Sequence, residues 1–419
     1  MKTLLKNGHI FTEKGFEKRD VFVVDDRLSF SDFSTYDESI DCDSFLLIPG
    51  FTDVHVHFRE PGFFYKETIK TGTQAAARGG YTAVCTMPNL DPAPSSLEAL
   101  EKQLEIIRRD AVVKVYPYGT ITKEQNGRSE LSDMEAMKDF VIAYSDDGKG
   151  VQTAERMEEA MRKAKALGKI IVAHCEDESL LEGGYIHKGA YAAAHGHKGI
   201  CSESEWKQVE RDLDLCKKTG ARYHVCHIST KETVALIRQA KEDGLPVTCE
   251  TAPHYLILCE DDLREDGRFK MNPPLRSSAD KAALIEGIQD GTIDMIATDH
   301  APHSEEEKSR GLADSAFGIV GLETAFPVLY TFLVKKGILS LETLIERMAI
   351  APRRVFGIEG GYLKEGQIAD LAVLDLKASG NVQPDRFLSK GRSTPFAGLE
   401  VQGENVMTFV NGKQVYSRR

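Results

Sequence analysis

The stretch Gly50-Phe51-Thr52-Asp53-Val54-His55-Val56-His57-Phe58-Arg59-Glu60-Pro61-Gly62 begins as an apolar run of strand length and ends in a His-x-His pair. Strand side chains alternate faces, so His55 and His57 point the same way, and Arg59, two residues on, is expected on their side. Seven later runs repeat the pattern of apolar strand followed by amphipathic segment: 81–87, 112–119, 140–145, 169–175, 222–228, 246–251 and 293–299. Strands alternating with helix-like segments read as βα units around a parallel sheet. Eight such strands are the number that closes a (β/α)8, TIM-type barrel, so the expected fold class is α/β.

Outward from this block the pattern changes. The first fifty residues, with LLKNGHIF and DVFVVDDRLSF, and the last sixty, with QIADLAVLDL and VMTFVNGKQVY, read as short strands and turns, and Asn7-Gly8 is a turn dipeptide. The expected organisation is one small β-domain built from both termini, 1–50 plus 360–419, around a catalytic barrel over 51–359.

The chain of 419 residues is 41% hydrophobic and 28% charged, enough apolar material for a sizeable core. A formal net charge of -12 with no Lys/Arg-rich run disfavours nucleic acid and anionic membrane as partners. The opening MKTLLKNGHIF lacks the apolar core of a signal peptide, and no stretch approaches the roughly 18 apolar residues of a membrane span, so the expected location is cytoplasmic. Eight scattered cysteines without a C-x-x-C pair read as buried thiols. By strand alternation Cys175 and Cys226 should face away from the histidines beside them.

A (β/α)8 barrel carries its active site at the C-terminal ends of its strands. The polar residues there are His55 and His57 on the first run, Ser145-Asp146-Asp147-Gly148 on the fourth, His174 on the fifth, His227 on the sixth and Asp299 on the eighth. Four imidazoles and two carboxylates without a thiolate cluster suit catalytic zinc, and a carboxylate shared between two ions would make the site binuclear. A lone strand-end histidine is more often simply hydrogen-bonded; the joint placement carries the metal reading. His9, His187, His195 and His197 fall in turn or loop contexts, His224 should face away from His227, and His254 stays unassigned.

With these residues in place the chain resembles the amidohydrolase superfamily and, within it, the class I dihydroorotases, over essentially its whole length. The matching segments are residues 50–62, Met87-Pro88-Asn89, Ser145–Gly148, Lys270–Arg276, Asp299–His303 and Phe317–Gly321. The resemblance implies two Zn2+ per chain, one held by His55, His57, Asp147 and Asp299, the other by Asp147, His174 and His227. Asp147 would bridge them, with Asp146 as the alternative, where many relatives use a carboxylated lysine. Asp299 would also carry the proton. Substrate contacts carry over to His57, Arg59, Asn89, Asn272, His303 and the backbone at Phe317 and Gly318.

The implied activity is the reversible interconversion of dihydroorotate and N-carbamoyl-L-aspartate in de novo pyrimidine biosynthesis, with a homo-oligomer left open. The alternatives are another cyclic amidohydrolase (hydantoinase, dihydropyrimidinase or allantoinase) or an inactive partner subunit. Arg59 and an aspartate rather than a lysine at the bridge favour dihydroorotate, whose ring carries a carboxylate that a guanidinium can grip with two parallel hydrogen bonds. The bland reading of Arg59 pairs it with Glu60 or another loop acid.

Overall fold

The computed structural model describes residues 2–418. Five strands come first: β1 (Lys2–Thr12), β2 (Gly15–Val24), β3 (Arg27–Ser29), β4 (Glu38–Asp41) and β5 (Leu46–Pro49). Next are β6 (Phe51–Val56), β7 (Tyr81–Thr86), β8 (Lys114–Pro117) and β9 (Ile171–Ala173), and then the two-residue strands β10 (Ile186–His187) and β11 (Gly199–Ile200). The chain continues through β12 (Tyr223–Val225), β13 (Val247–Thr251) and β14 (Met295–Ile296), and closes with β15 (Leu371–Asn381), β16 (Glu400–Val410) and β17 (Lys413–Ser417).

Two parallel sheets occupy the middle, one ordered β6-β7-β8 and the other β9-β12-β13-β14. They meet on both sides. Tyr144 bridges Gly119 after β8 and Ile171 of β9, and His300 after β14 bridges Val56 of β6. The run expected as a strand over 140–145 is thus not a ladder. It is held by single hydrogen bonds such as Ile142 N to Pro117 O (3.0 Å) and Val172 N to Tyr144 O (2.9 Å). The chain leaves the sheet early because Asp146 is drawn aside, accepting from the Ile121 and Thr122 amides.

Both faces of these strands are apolar, as parallel strands covered by helices require. Ala83 and Cys85, Val172, and Met295 with Ala297 pack in one cluster together with Val54 and Tyr118. Their neighbours Val84, Ile171 and Ile296 pack in another with helix residues Ala75, Met157, Val234 and Leu284. Helices start soon after the strand ends, where Thr68, Ser96, Thr153 and Thr230 cap the helices 69–78, 97–110, 154–166 and 231–242 by accepting a backbone N–H three residues on.

The terminal segments share one sheet, ordered β17-β16-β15-β5-β1-β2-β3 with β4 paired to β1. N- and C-terminal segments join where β5 runs antiparallel to β15, Ile48 opposite Ala372. Leu5, Ile10, Val21, Leu47, Leu371, Val373 and Phe409 form its core. Asn7-Gly8 is not a turn. It lies inside β1 at a break in register between Leu5 and Gly8, with Asn7 at φ +60°, because an asparagine that tolerates left-handed backbone suits a bulge as well as a turn. Residues 382–396 leave this sheet, and Val382, Phe387 and Phe396 pack on Val320 and Val328. Among the described residues no helix is long and apolar enough to cross a membrane.

Candidate metal centre

β6 delivers His55 and His57 to a single point. Asp53, buried beneath them, accepts from His55 N (3.0 Å) and Thr298 N, which ties the end of β6 to the segment leaving β14. There His55 Nε2 lies 3.4 Å from Asp147 Oδ1 and 3.5 Å from Asp299 Oδ1. His57 Nε2 lies 3.4 Å from Asp147 Oδ2 and 3.1 Å from Asp299 Oδ1. On the other side of Asp147, its Oδ1 is 3.4 Å from His227 Nε2 and 3.6 Å from His174 Nδ1, and those two rings are 3.0 Å apart.

This arrangement fits metal ions. Donors at about 2.0–2.2 Å from a tetrahedral cation stand about 3.4 Å from one another, close to the separations here. His55 Nε2 and Asp147 Oδ1 are buried with no hydrogen-bond partner, a costly state unless something else satisfies them. The ligand-capable atoms fall into three overlapping groups: His55, His57 and Asp299; Asp147, His174 and His227; and His55, Asp147 and Cys226. Despite burial, His55, His174 and His227 hold the Asp147 carboxyl well below the usual range, and Asp147 with Glu176 pushes His174 up to about 10. Asp147 thus stands where the bridge is expected, while Asp146 braces the 121–122 turn.

The ring orientations come from residues that the sequence reading passed over. Glu250 accepts from His55 Nδ1 at 2.7 Å and His224 Nε2 at 3.2 Å, which turns His55 Nε2 toward Asp147. Burial opposes its charge, but His55 and His224 hold the Glu250 carboxyl down at about 2. Glu176 Oε2 sits 3.6 Å from His174 Nε2. No spacing rule links Glu250 to a histidine 195 residues away; a buried acid ending the VTCE run was the one signal available.

Strand alternation alone does not account for the way these side chains point. Arg59, His227 and Asp299 sit at φ +61°, +32° and +49°, conformations that cost energy for non-glycine residues and re-aim the side chain beyond the strand's end. Consequently His224 and His227 both face inward, and His224 reaches Glu250. Cys226 is likewise not turned away: its sulfur lies within 4.8 Å of ligand atoms of His55 and Asp147. Burial pushes its thiol far up, so it stays protonated beneath the cluster. Cys175 does pack outside, 3.2 Å from the Tyr223 hydroxyl. His254 is buried with Nε2 unpartnered, while His197 meets Tyr185 and Glu265 away from the cluster.

Arg59, Asn89, Asn272, His303, Phe317 and Gly318 line one cavity of about 190 Å³ together with the metal-cluster residues. Arg59 is buried and donates to Pro302 O and His303 Nε2, each at 3.2 Å. Among the described residues no carboxylate lies within ion-pair distance of it, and Glu60 instead accepts from Ile69 N. The pairing of Arg59 with Glu60 is therefore not observed. Burial pulls Arg59 down to about 10, still charged near neutrality. Burial, then Arg59 and Lys66, pulls His303 down to about 3, so its ring is neutral and can accept from Arg59.

Parallel strands that bring histidines and aspartates together beside a small polar cavity are the arrangement of a metal-dependent cyclic amidohydrolase. Solved structures agree: an L-hydantoinase (dihydropyrimidinase) from Arthrobacter aurescens superposes with TM-score 0.88 at 28% identity, covering 99% of this chain and 96% of its own. A dihydropyrimidinase from Brevibacillus agri, at 22% identity and TM-score 0.87, shares the fold over 100% of this chain and 95% of its own. The "Dihydro-orotase-like" family model matches residues 44–233. Proteins named dihydroorotase from Fusobacterium nucleatum subsp. nucleatum and Listeria welshimeri are each 51% identical, over 99% of this chain and 98% of their own length. The Bacillus thuringiensis dihydroorotase is 49% identical over 100% of this chain and 99% of its own. The chain belongs to the dihydroorotase family.

Proposed function

We propose that this chain interconverts dihydroorotate and N-carbamoyl-L-aspartate, a step of pyrimidine biosynthesis, using two Zn2+ at the mouth of a (β/α)8 barrel. The observation that carries the substrate is Arg59: a buried guanidinium facing the cavity with no carboxylate among the described residues to neutralise it. An anionic ring substituent is what such a group lacks, and hydantoins or dihydropyrimidines need not carry one. Curated relatives at about half identity along the full chain favour the same substrate over the hydantoinase reading.

In this reading His55, His57, Asp147 and Asp299 hold one ion, and Asp147, His174 and His227 the other. When bound, such a pair brings the deprotonation of water near neutral pH and draws charge from a carbonyl. The residues do the rest. Arg59, Asn89 and His303 hold the ring carboxylate, and Asn272 with the Phe317–Gly318 backbone closes the opposite side. Burial opposes the charge on Asp299, but His57 and His55 keep its carboxyl well below the usual range, so it is ready to accept a proton. It takes that proton from the attacking water and passes it to the departing ring nitrogen, and ring closure runs the same transfer backward.

Residues 51–359 are read as the barrel and 1–50 with 360–419 as the small β-domain, whose 382–396 excursion supports the mouth. The enzyme is assigned to the cytoplasm. The test is ultraviolet loss and gain of dihydroorotate by purified zinc-loaded protein, alongside dihydrouracil and hydantoin. Turnover of the carboxylate-bearing ring far above that of the neutral rings is expected; equal turnover of the neutral rings would overturn the substrate assignment.

A further inference from the structure

We infer that Glu176 is a positioning residue that turns the carbonyl oxygen of Asn272 into the cavity, so that the pocket reads an N–H of its ligand there. This deepens the reading of the site proposed above and rests on it. Two asparagines line the cavity, Asn89 and Asn272, and each is anchored by one end of its amide. An amide has one accepting end and one donating end, so whatever grips one end decides what the other offers.

Asn89 is gripped by its oxygen. His57 Nδ1 lies 2.8 Å from Asn89 Oδ1, while His57 Nε2 faces Asp147 and Asp299. With Nε2 on the cation side the ring proton sits on Nδ1 and is donated to Asn89. That leaves the Asn89 NH2 as the free end, a donor suited to a carboxylate in a cavity that Arg59 also lines.

Asn272 is gripped by its nitrogen. Its Nδ2 lies 2.9 Å from Glu176 Oε1, and an ionised carboxylate can only accept. Asn272 Oδ1 is then the free end, and it is buried with no hydrogen-bond partner in the protein. A buried, unsatisfied carbonyl in the wall of a ligand cavity is completed by a ligand donor.

The lining therefore has written polarity: donors from Arg59 and Asn89, and an acceptor from Asn272. The complementary ligand is a ring bearing both an anionic group and an N–H, which is the chemistry of a carboxylated cyclic ureide. The anchor that sets the acceptor, Glu176, stands two residues beyond His174 and outside the cavity lining.

The experiment is a double-mutant cycle on zinc-loaded protein, with KM, kcat and metal content for Asn272→Ala, Glu176→Gln and the pair. Binding of dihydroorotate and of its two mono-N-methyl derivatives is measured beside it. Glutamine at 176 can donate as well as accept, which frees Asn272 to turn. Each single substitution is expected to raise KM about tenfold, the cost of one mispaired buried hydrogen bond, with a smaller change in kcat and metal retained. The pair should be no worse than Asn272→Ala alone. One N-methyl ring should bind wild type about tenfold more weakly than dihydroorotate, and Asn272→Ala should lose that discrimination. Multiplying losses in the pair, loss of zinc from Glu176→Gln, or indifference of wild type to methylation at both nitrogens would overturn the assignment. Zinc-loaded wild type that never turns over dihydroorotate would instead refute the proposed activity.

Discussion

The mouth of the metal cluster and the terminal sheet obey opposite rules. In the sheet, Leu5, Leu47, Leu371 and Val373 interlock in an apolar cluster, and the pairing of β5 with β15 is regular over four successive residues. At the mouth, Arg59, His227 and Asp299 hold left-handed backbone, Asp147 and His55 are buried with unpartnered atoms, and a cation lies beside no protein carboxylate. The sheet is arranged for stability. The mouth accepts strain and unsatisfied charge, which ions and a ligand would relieve.

The contrast can be tested from its strongest side down. Asp299→Asn keeps the shape but removes the proton acceptor, and kcat is expected to fall on the order of a thousandfold in both directions, measured by dihydroorotate absorbance. A variant retaining a tenth of wild-type kcat would place the proton carrier elsewhere. Arg59→Ala should lose about a hundredfold in kcat/KM for dihydroorotate while keeping its metal, since two parallel charge-assisted hydrogen bonds disappear. Arg59→Lys should recover only part, and dihydrouracil should be a poor substrate that barely distinguishes the three forms. Equal losses on both rings would mean that Arg59 supports the mouth structurally.

Glu250→Gln should weaken zinc binding about tenfold or more, read by competition with a chelator, because His55 loses the carboxylate that fixes its tautomer. Unchanged affinity would show that the strand alone orients the ring. Leu371→Ala in the terminal sheet should lower unfolding free energy by about 2–5 kcal/mol with kcat/KM changed less than about twofold. A large loss of activity in that folded variant would erase the division between the two regions.

Much of this was legible in the chain. Apolar runs alternating with amphipathic segments located the parallel strands, and polar residues at their ends named the cluster, because both signals are local and repeat with the period of the backbone. The fourth run misled in detail. Val141, Ala143 and Tyr144 are buried but Phe140 is exposed, and the pull of Asp146 toward Ile121 and Thr122 shortens the pairing to isolated bridges. Asn7-Gly8 misled for a related reason, since a residue suited to left-handed backbone does not announce whether a turn or a bulge will use it.

The sequence by itself determined the kinds of residue at the mouth, their order along the strands and the apolar layers beneath them. Only the tertiary structure decided which of two adjacent aspartates joins the histidines, which way Cys226 and His224 face, and that Arg59 lacks a protein carboxylate. It also supplied Glu250 to His55 across 195 residues and Glu176 to Asn272 across 96. The reason is physical: periodicity is a property of neighbouring peptide units, whereas the partner of a buried charge is whichever group the closed fold brings within hydrogen-bond distance.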